Sequence, residues 1–283
     1  MSDAQEVARL QEIARQVRID ILKMLHKAGS GHTGGSLSAV ELLVSLYFHK
    51  LRHRPADPQW PDRDRLLFSK GHGAPALYAV LARCGYYPAE EMQRLRKLGG
   101  ILQGHPDRML TPGVEISAGS LGHGLAMANG MALAARLDGK PYRFYVMMSD
   151  GECQEGEVWE AAMASAHYRL DSICVLLDRN HIQNDDFMIK IRDIEPIRDK
   201  WAAFGWNVLS IDGHDFPQIL KALDEAEACR GRPSIIVAET VKGKGASPFE
   251  NSPKHHGVSP TDAELEQALK ELGAQPEGGG RRA

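Results

Sequence analysis

Two residues with metal-binding chemistry stand 30 positions apart in the stretch "SDGECQEGEVWEAAMASAHYRLDSICVLLDRNH", residues 149–181. Asp150 follows the apolar run "RFYVMM", and Asn180 follows the apolar run "ICVLL". A helix-like segment, "EVWEAAMASAHY", joins the two runs. If both runs are strands of one parallel sheet, consecutive strands of this kind usually neighbour each other, which brings a carboxylate and an amide oxygen to one point. Such a donor pair suits a hard cation. Magnesium takes its remaining ligands from water and phosphate oxygens, so the pair points to a magnesium–diphosphate complex. The plainer alternative is that Asp-Gly and Arg-Asn are ordinary turn chemistry.

A second set is histidine. Of twelve histidines, six adjoin a glycine: His32, His72, His105, His123, His214 and His256. Glycine permits tight loops and close backbone approach, so these histidines are expected on loops around a polar pocket. There neutral imidazoles can hydrogen-bond and carry protons. His214, in "DGHDF", reads instead as a plain helix cap, and His49 and His53 read as surface residues. Glu157 and Glu160 read as a solvated helix face and Trp159 as core.

The elements that must position these residues follow from apolar patterning. Residues 3–27 carry Val7, Leu10, Ile13, Val17, Ile21 and Leu25 at helical spacing. "AGSGHTGG" is too rich in glycine to continue the helix, and Ser38 with Glu41 predicts a capping box opening a second helix through "VELLVSLYF". "RLLF" is strand-like, "APALYAVLARCGY" helical, and "GHGLAMANGMALAARLDGK" a helix stopped at Gly139. Beyond the two runs already described come "DIEPIRDKWAAF" (helix), "WNVLSI" (strand), "FPQILKALDEAEAC" (helix) and "PSIIVAET" (strand). Short, nearly continuous apolar runs alternating with helices predict an α/β fold, an open doubly wound sheet, mostly parallel, with helices on both faces. Ligands of such sheets sit beyond the carboxyl ends of the strands, where Asp150 and Asn180 stand. One domain over residues 1–260 is expected, then a helix and a disordered tail over 261–283, since "GAQPEGGGRRA" has nothing to pack.

Bulk properties narrow the classes. The 283 residues are 43% hydrophobic and 25% charged, with a net charge of −3, as in a globular protein with no electrostatic basis for binding nucleic acid. No apolar run is long enough to cross a bilayer, and the polar, acidic start does not resemble a secretory signal, so a cytoplasmic location is expected. Cys84, Cys153, Cys174 and Cys229 never fall at C-x-x-C spacing, which argues against zinc or redox motifs; only Cys153, beside the acidic turn, is placed to lie near a site. "VKGKGAS" lacks the P-loop frame, and the dinucleotide, zinc-protease and serine-hydrolase motifs are absent.

The acidic turn, the 30-residue gap and the closing Asn resemble the thiamine-diphosphate fingerprint G-D-G…N, with Ser149 in place of the first Gly. Together with "GSGHTGG", "DRLLFSKGHGAPALYAVL", "GHPD", "GSLGHGLAMANGMALA", "ETVKGKG" and "HHG", the chain from about residue 10 to 260 resembles the N-terminal part of transketolases. The resemblance implies thiamine diphosphate and magnesium as cofactors, the metal held by Asp150, the Asn180 side chain and the Ile182 carbonyl. It implies Gly151, Lys70 and His72 at the diphosphate, Lys242 closing that end, and Gly119, Ser120 and Leu121 on the aminopyrimidine side. Glu155 would sit at the partner contact and orient the partner's glutamate, and His32, His72, His105 and His256 would serve the sugar hydroxyls. The family usually has Gln where His123 stands, so His123 is left without a role. Whole transketolases are more than twice as long, and their second domain binds the aminopyrimidine and the substrate phosphate. The expectation is therefore one half of a split transketolase, inactive alone, sharing its site with a pyrimidine-domain partner in an α2β2 assembly. It would transfer a two-carbon ketol unit between sugars or sugar phosphates, as in the pentose phosphate pathway. Competing readings are the α subunit of a 2-oxo-acid dehydrogenase, a deoxyxylulose-phosphate synthase, or a non-catalytic module of the same fold.

Overall fold

The computed structural model describes residues 3–274, and the expected disorder of the tail beyond them lies outside the described residues. In chain order the helices are α1 (Asp3–Ala28), α2 (Thr33–Leu37), α3 (Val40–Ser45), α4 (Ala74–Cys84), α5 (His123–Leu137), α6 (Gly156–His167), α7 (Met188–Ile191), α8 (Ile197–Ala203), α9 (Phe216–Ala228) and α10 (Asp262–Glu271). The strands are β1 (Arg65–Phe68), β2 (Phe144–Ser149), β3 (Ile173–Arg179), β4 (Asn207–Asp212) and β5 (Ser234–Glu239). They form one parallel sheet in the order β1-β2-β3-β5-β4.

Strand alternation divides the core in two. Leu66, Phe68, Tyr145, Met147, Cys174, Leu176 and Ile236 face one side and pack with α1, α3, α4 and α9. Leu67, Val146, Met148, Val175, Leu177 and Val237 face the other and pack with α5, α6 and α8. With both faces covered, the inner strands are buried almost throughout, which is why they read as unbroken apolar runs. The register places Ser149 opposite Asp178, so β2 and β3 end side by side. Helix α10 adds Ala268 to the core beside α1.

The first helix ends at Ala28, at the glycine-rich segment as expected, but a short second helix, α2, follows at once and contains Gly34 and Gly35. A Cβ on Gly34 would stand 2.9 Å from Lys242, and one on Gly35 3.2 Å from His72, so these glycines serve close approach. Ser38 and Glu41 form no capping box: Ser38 Oγ donates to Asp178 at 2.7 Å, and Glu41 pairs with Arg18 at 2.7 Å. Helix α8 begins only at Ile197, after Pro196, whose ring cannot continue a helix from the preceding turn. His53 is no free surface residue either; it stacks on Tyr86, with ring nitrogens at Tyr86 Oη and the Tyr47 carbonyl.

Candidate active site

A cleft of about 310 Å³ opens at the carboxyl ends of β2 and β3. Its lining includes His72, Gly119, Leu121, Asp150, Gly151, Glu155, Asn180, Ile182, Lys242 and His256. Most residues singled out from the sequence thus meet in one place, although they span 185 positions from His72 to His256 inclusive. Ser120 is exposed beside the cleft between two of its lining residues.

Asp150 is buried, its carboxylate held by backbone N–H groups of Gly151 (2.8 Å) and His181 (2.6 Å). Burial and the neighbouring Asp178 charge nevertheless push it up to about 6. Asn180 Nδ2 donates to Asp178 Oδ2 at 3.2 Å, which fixes the amide; its Oδ1 accepts from Ile182 N at 3.2 Å and keeps a second lone pair. The Ile182 carbonyl belongs to the same turn and accepts from Lys242 Nζ at 2.7 Å. One buried carboxylate, one oriented amide oxygen and one carbonyl therefore converge. Among the described residues no three His, Cys, Asp or Glu side chains form a metal site by themselves. This oxygen set fits a magnesium ion that needs phosphate oxygens to complete its shell, and a divalent charge would relieve the cost of ionising Asp150.

Lys242 also donates to His256 Nδ1 at 2.8 Å. Burial, then the Lys70 charge, pushes it down to about 8. Lys70 differs from its expected place at the diphosphate. Its ammonium is wholly buried, ion-paired to Asp178 and bonded to the Gly35 carbonyl at 2.9 Å, and it does not line the cleft. An unpaired ammonium at that depth would be costly, so the lysine supports the site from beneath.

Three of the histidines form a triangular cluster, and a fourth adjoins it. Ring centroids of His72 and His256 are 5.4 Å apart, of His256 and His32 5.4 Å and of His32 and His72 5.5 Å, while His105 joins through His32 at 6.4 Å. Burial, then the Arg96 charge, holds His32 down at about 4; burial, then Lys242, holds His256 at about 3. His72 lies well below its ordinary value, chiefly through burial. These imidazoles are neutral around pH 7, able to donate and accept hydrogen bonds, but they are not tuned to neutrality as expected of general acids. His255 lies apart, its ring bonded to Ser252 and Glu264. Glu155 is exposed at the start of α6, with its Cβ against Gly122. His123 pairs with Glu157, which is therefore only partly a solvated face, whereas Trp159 packs with Trp201 and Phe204. Cys153 is buried and burial pushes its thiol far up, so it acts as a small apolar group.

Two organising carboxylates carry no local sequence signal. Asp178 binds Lys70, Thr240, Ser38 and Asn180 at once; burial opposes its ionisation, but the Lys70 charge holds its pKa below the ordinary value. Glu152 accepts from Ser69 Oγ, from Gly122 N at 2.9 Å and from Ser149 N at 3.3 Å, joining the ends of β1 and β2 to the turn before α5. His214 is not the plain cap its context suggests. Val241 N donates to its Nε2 at 2.8 Å, so Nδ1 carries the proton and donates to Glu41 at 3.0 Å; the cap of α9 is Asp215. A larger, more open cleft of about 560 Å³ lies nearby at the ends of β4 and β5. Its Glu239 is already engaged by Arg179, His181 and Arg198, which leaves less free charge for a ligand.

Residues 9–279 match the family described as transketolase, thiamine diphosphate binding domain. The chain is 44% identical to the 6-deoxy-6-sulfo-D-fructose transketolase subunit of Clostridium sp. (strain MSTE9), over 93% of this chain and 96% of that one. It is 39% identical to an apulose-4-phosphate transketolase subunit of Phocaeicola vulgatus, over 94% and 95%. Against the transketolase of Rattus norvegicus it is 36% identical over 96% of its own length but only 43% of that enzyme's. The crystal structure of Campylobacter jejuni transketolase superposes with a TM-score of 0.90 at 36% identity, again over 95% of this chain and 43% of the other. No helix of the described residues is long and apolar enough to cross a membrane. The chain belongs to the transketolase family, matching its thiamine-diphosphate-binding domain.

Proposed function

We propose that this subunit supplies the diphosphate half of a ketol-transferring active site, completed by a pyrimidine-domain subunit in an α2β2 assembly. The observation that carries the reading is the convergence of Asp150, Asn180 and Ile182 on one cleft also lined by His72 and His256, which pack with His32 in one cluster. Asp150, Asn180 Oδ1 and the Ile182 carbonyl would hold magnesium. Gly151, His72 and Lys242 would face the diphosphate, with Lys70 fixing Asp178 and hence Asn180 beneath it. Gly119, Ser120 and Leu121 would receive the aminopyrimidine side, and Glu155, exposed at the rim, would meet the partner's glutamate. Residues 1–260 would form this cofactor-binding domain, with α10 appended.

When bound, thiamine diphosphate supplies the carbon centre that carries a two-carbon ketol unit from a ketose to an aldose. This chain's part is to bind and orient. His32, His72, His105 and His256, as neutral imidazoles, donate to and accept from sugar hydroxyls and pass protons between them. Lys242 Nζ, donating to His256 Nδ1, leaves the opposite ring nitrogen of His256 as the proton-bearing one, which faces away from the lysine. Two of the relatives are named for a sulfonated and a phosphorylated ketose, which supports a sugar ending in an anion as substrate. The soluble cytoplasm is the expected setting of such chemistry.

The test is to mix this chain and its partner with thiamine diphosphate, magnesium, xylulose 5-phosphate and ribose 5-phosphate. Appearance of the seven-carbon ketose phosphate supports ketol transfer. No ketose phosphate from this mixture, with carbon dioxide released when a 2-oxo acid is supplied instead, would overturn it.

A further inference from the structure

The histidine cluster has one outer member, His105, and a cation stands beside it. His105 is exposed, and His32, the next ring inward, is half-buried. Arg96 lies beside both, close enough for its charge to hold down the pKa of each ring, second only to burial. Its backbone takes the left-handed conformation, φ 59°, and its N–H donates to the Leu102 carbonyl at 2.9 Å, closing the loop that leads to His105. That conformation is uncommon for a residue with a side chain. Gly104 lets the guanidinium lie across the loop: a Cβ there would stand 3.1 Å from Nε and 3.2 Å from Cζ.

The guanidinium is exposed, and its one side-chain partner is neutral, Ser30 Oγ at 3.3 Å. Among the described residues no carboxylate pairs with it, whereas the buried Lys70 is neutralised by Asp178. A strained loop residue thus holds an uncompensated, fork-shaped donor at the mouth of the site, flanked by a hydroxyl and an imidazole. Guanidinium matches the oxygens of a phosphate monoester or a sulfonate in a two-point contact.

We propose that Arg96 is a specificity-determining residue of this chain, binding the terminal oxyanion of the sugar beside His105, the outer member of the histidine cluster. The inference rests on the ketol-transfer reading and adds to it. The expected anion site of the partner domain would then be shared, with one arm of the clamp on this chain. Substrate would lie with its reacting carbonyl toward His72 and His256 and its anionic tail toward His105, Arg96 and Ser30.

Binding tests this separately from turnover. The assembled pair of chains, loaded with thiamine diphosphate and magnesium, is titrated calorimetrically with ribose, ribose 5-phosphate and a sulfonate-ended sugar. This is done for the natural protein, Arg96→Gln and Arg96→Lys. A charge-assisted two-point contact is worth about tenfold or more in affinity. The preference for anionic sugar over ribose is expected to fall by about that factor in Arg96→Gln and to recover only in part in Arg96→Lys. Loss in only the phosphate or only the sulfonate arm would support the site and identify its ligand. An unchanged preference in Arg96→Gln would overturn the proposal even if ketol transfer is intact. A selective loss of anion binding in an assembly that transfers no ketol would uphold it and overturn the function instead.

Discussion

Asp178 Oδ2 accepts a hydrogen bond from Asn180 Nδ2 at 3.2 Å while the same carboxylate takes the buried ammonium of Lys70. The relationship decides which end of the Asn180 amide turns away from Asp178 and ties it to the end of β1. The amide two residues away in sequence is therefore oriented through a lysine 108 residues away.

Removing that carboxylate should damage fold and site together. Asp178→Ala strands the Lys70 ammonium in a buried position, a loss of about 3–5 kcal/mol. Chemical denaturation of the natural and variant chains measures it. A variant as stable as the natural chain would show that the pair does not anchor the sheet ends.

Asp150→Ala should separate function from stability. Its carboxylate is costly to ionise where it stands, so the metal-free variant is expected to melt no lower than the natural chain. Magnesium-dependent binding of thiamine diphosphate should fall by about 100-fold or more, as for loss of a direct metal ligand. Calorimetry with and without magnesium reads the second, and scanning calorimetry the first.

The pH dependence follows from the same residue. The folded-state pKa of Asp150, about 6, lies above the ordinary 3.8, so the folded chain binds the proton more tightly than the unfolded one. Its contribution to stability is present below pH 3.8 and is lost as pH rises through about 6. Magnesium needs the ionised form, so cofactor affinity should be constant above about pH 7 and fall roughly tenfold per unit once pH drops below about 6. Titrations at several pH values check the sign; affinity that rises in acid would contradict it.

His255 and His256 should part company. His255 is buried between Ser252 and Glu264, so His255→Ala is expected to cost about 1–2 kcal/mol of stability with cofactor binding retained. His256 lies in the histidine cluster against Lys242, so His256→Ala should keep the fold and lower kcat of the assembled enzyme. Melting and steady-state kinetics on both variants distinguish them.

Much of this is legible in the chain. The apolar runs mark the strands because both sheet faces are covered, and Asp150 and Asn180 stand out because each follows such a run directly. What the chain hides is long-range. Ser38 and Glu41 match a local capping pattern, but Asp178 and Arg18 claim their side chains. Glycines 34 and 35 mimic a loop because nothing nearby in sequence reveals Lys242 and His72 packing on them. Glu152 looks like one more acid in an acidic turn, and only Ser69 and Gly122, 83 and 30 residues away, show what it holds. A spacing signal for Glu152 exists only once β1 and β2 are known to be neighbours.

The most direct measurement is ketol transfer at a fixed concentration of this chain while the partner is titrated in, with thiamine diphosphate and magnesium saturating. A site shared between the two chains predicts no turnover without the partner and a linear rise that saturates at one partner per chain. Turnover by this chain alone would contradict the account, because its own residues would then complete the site.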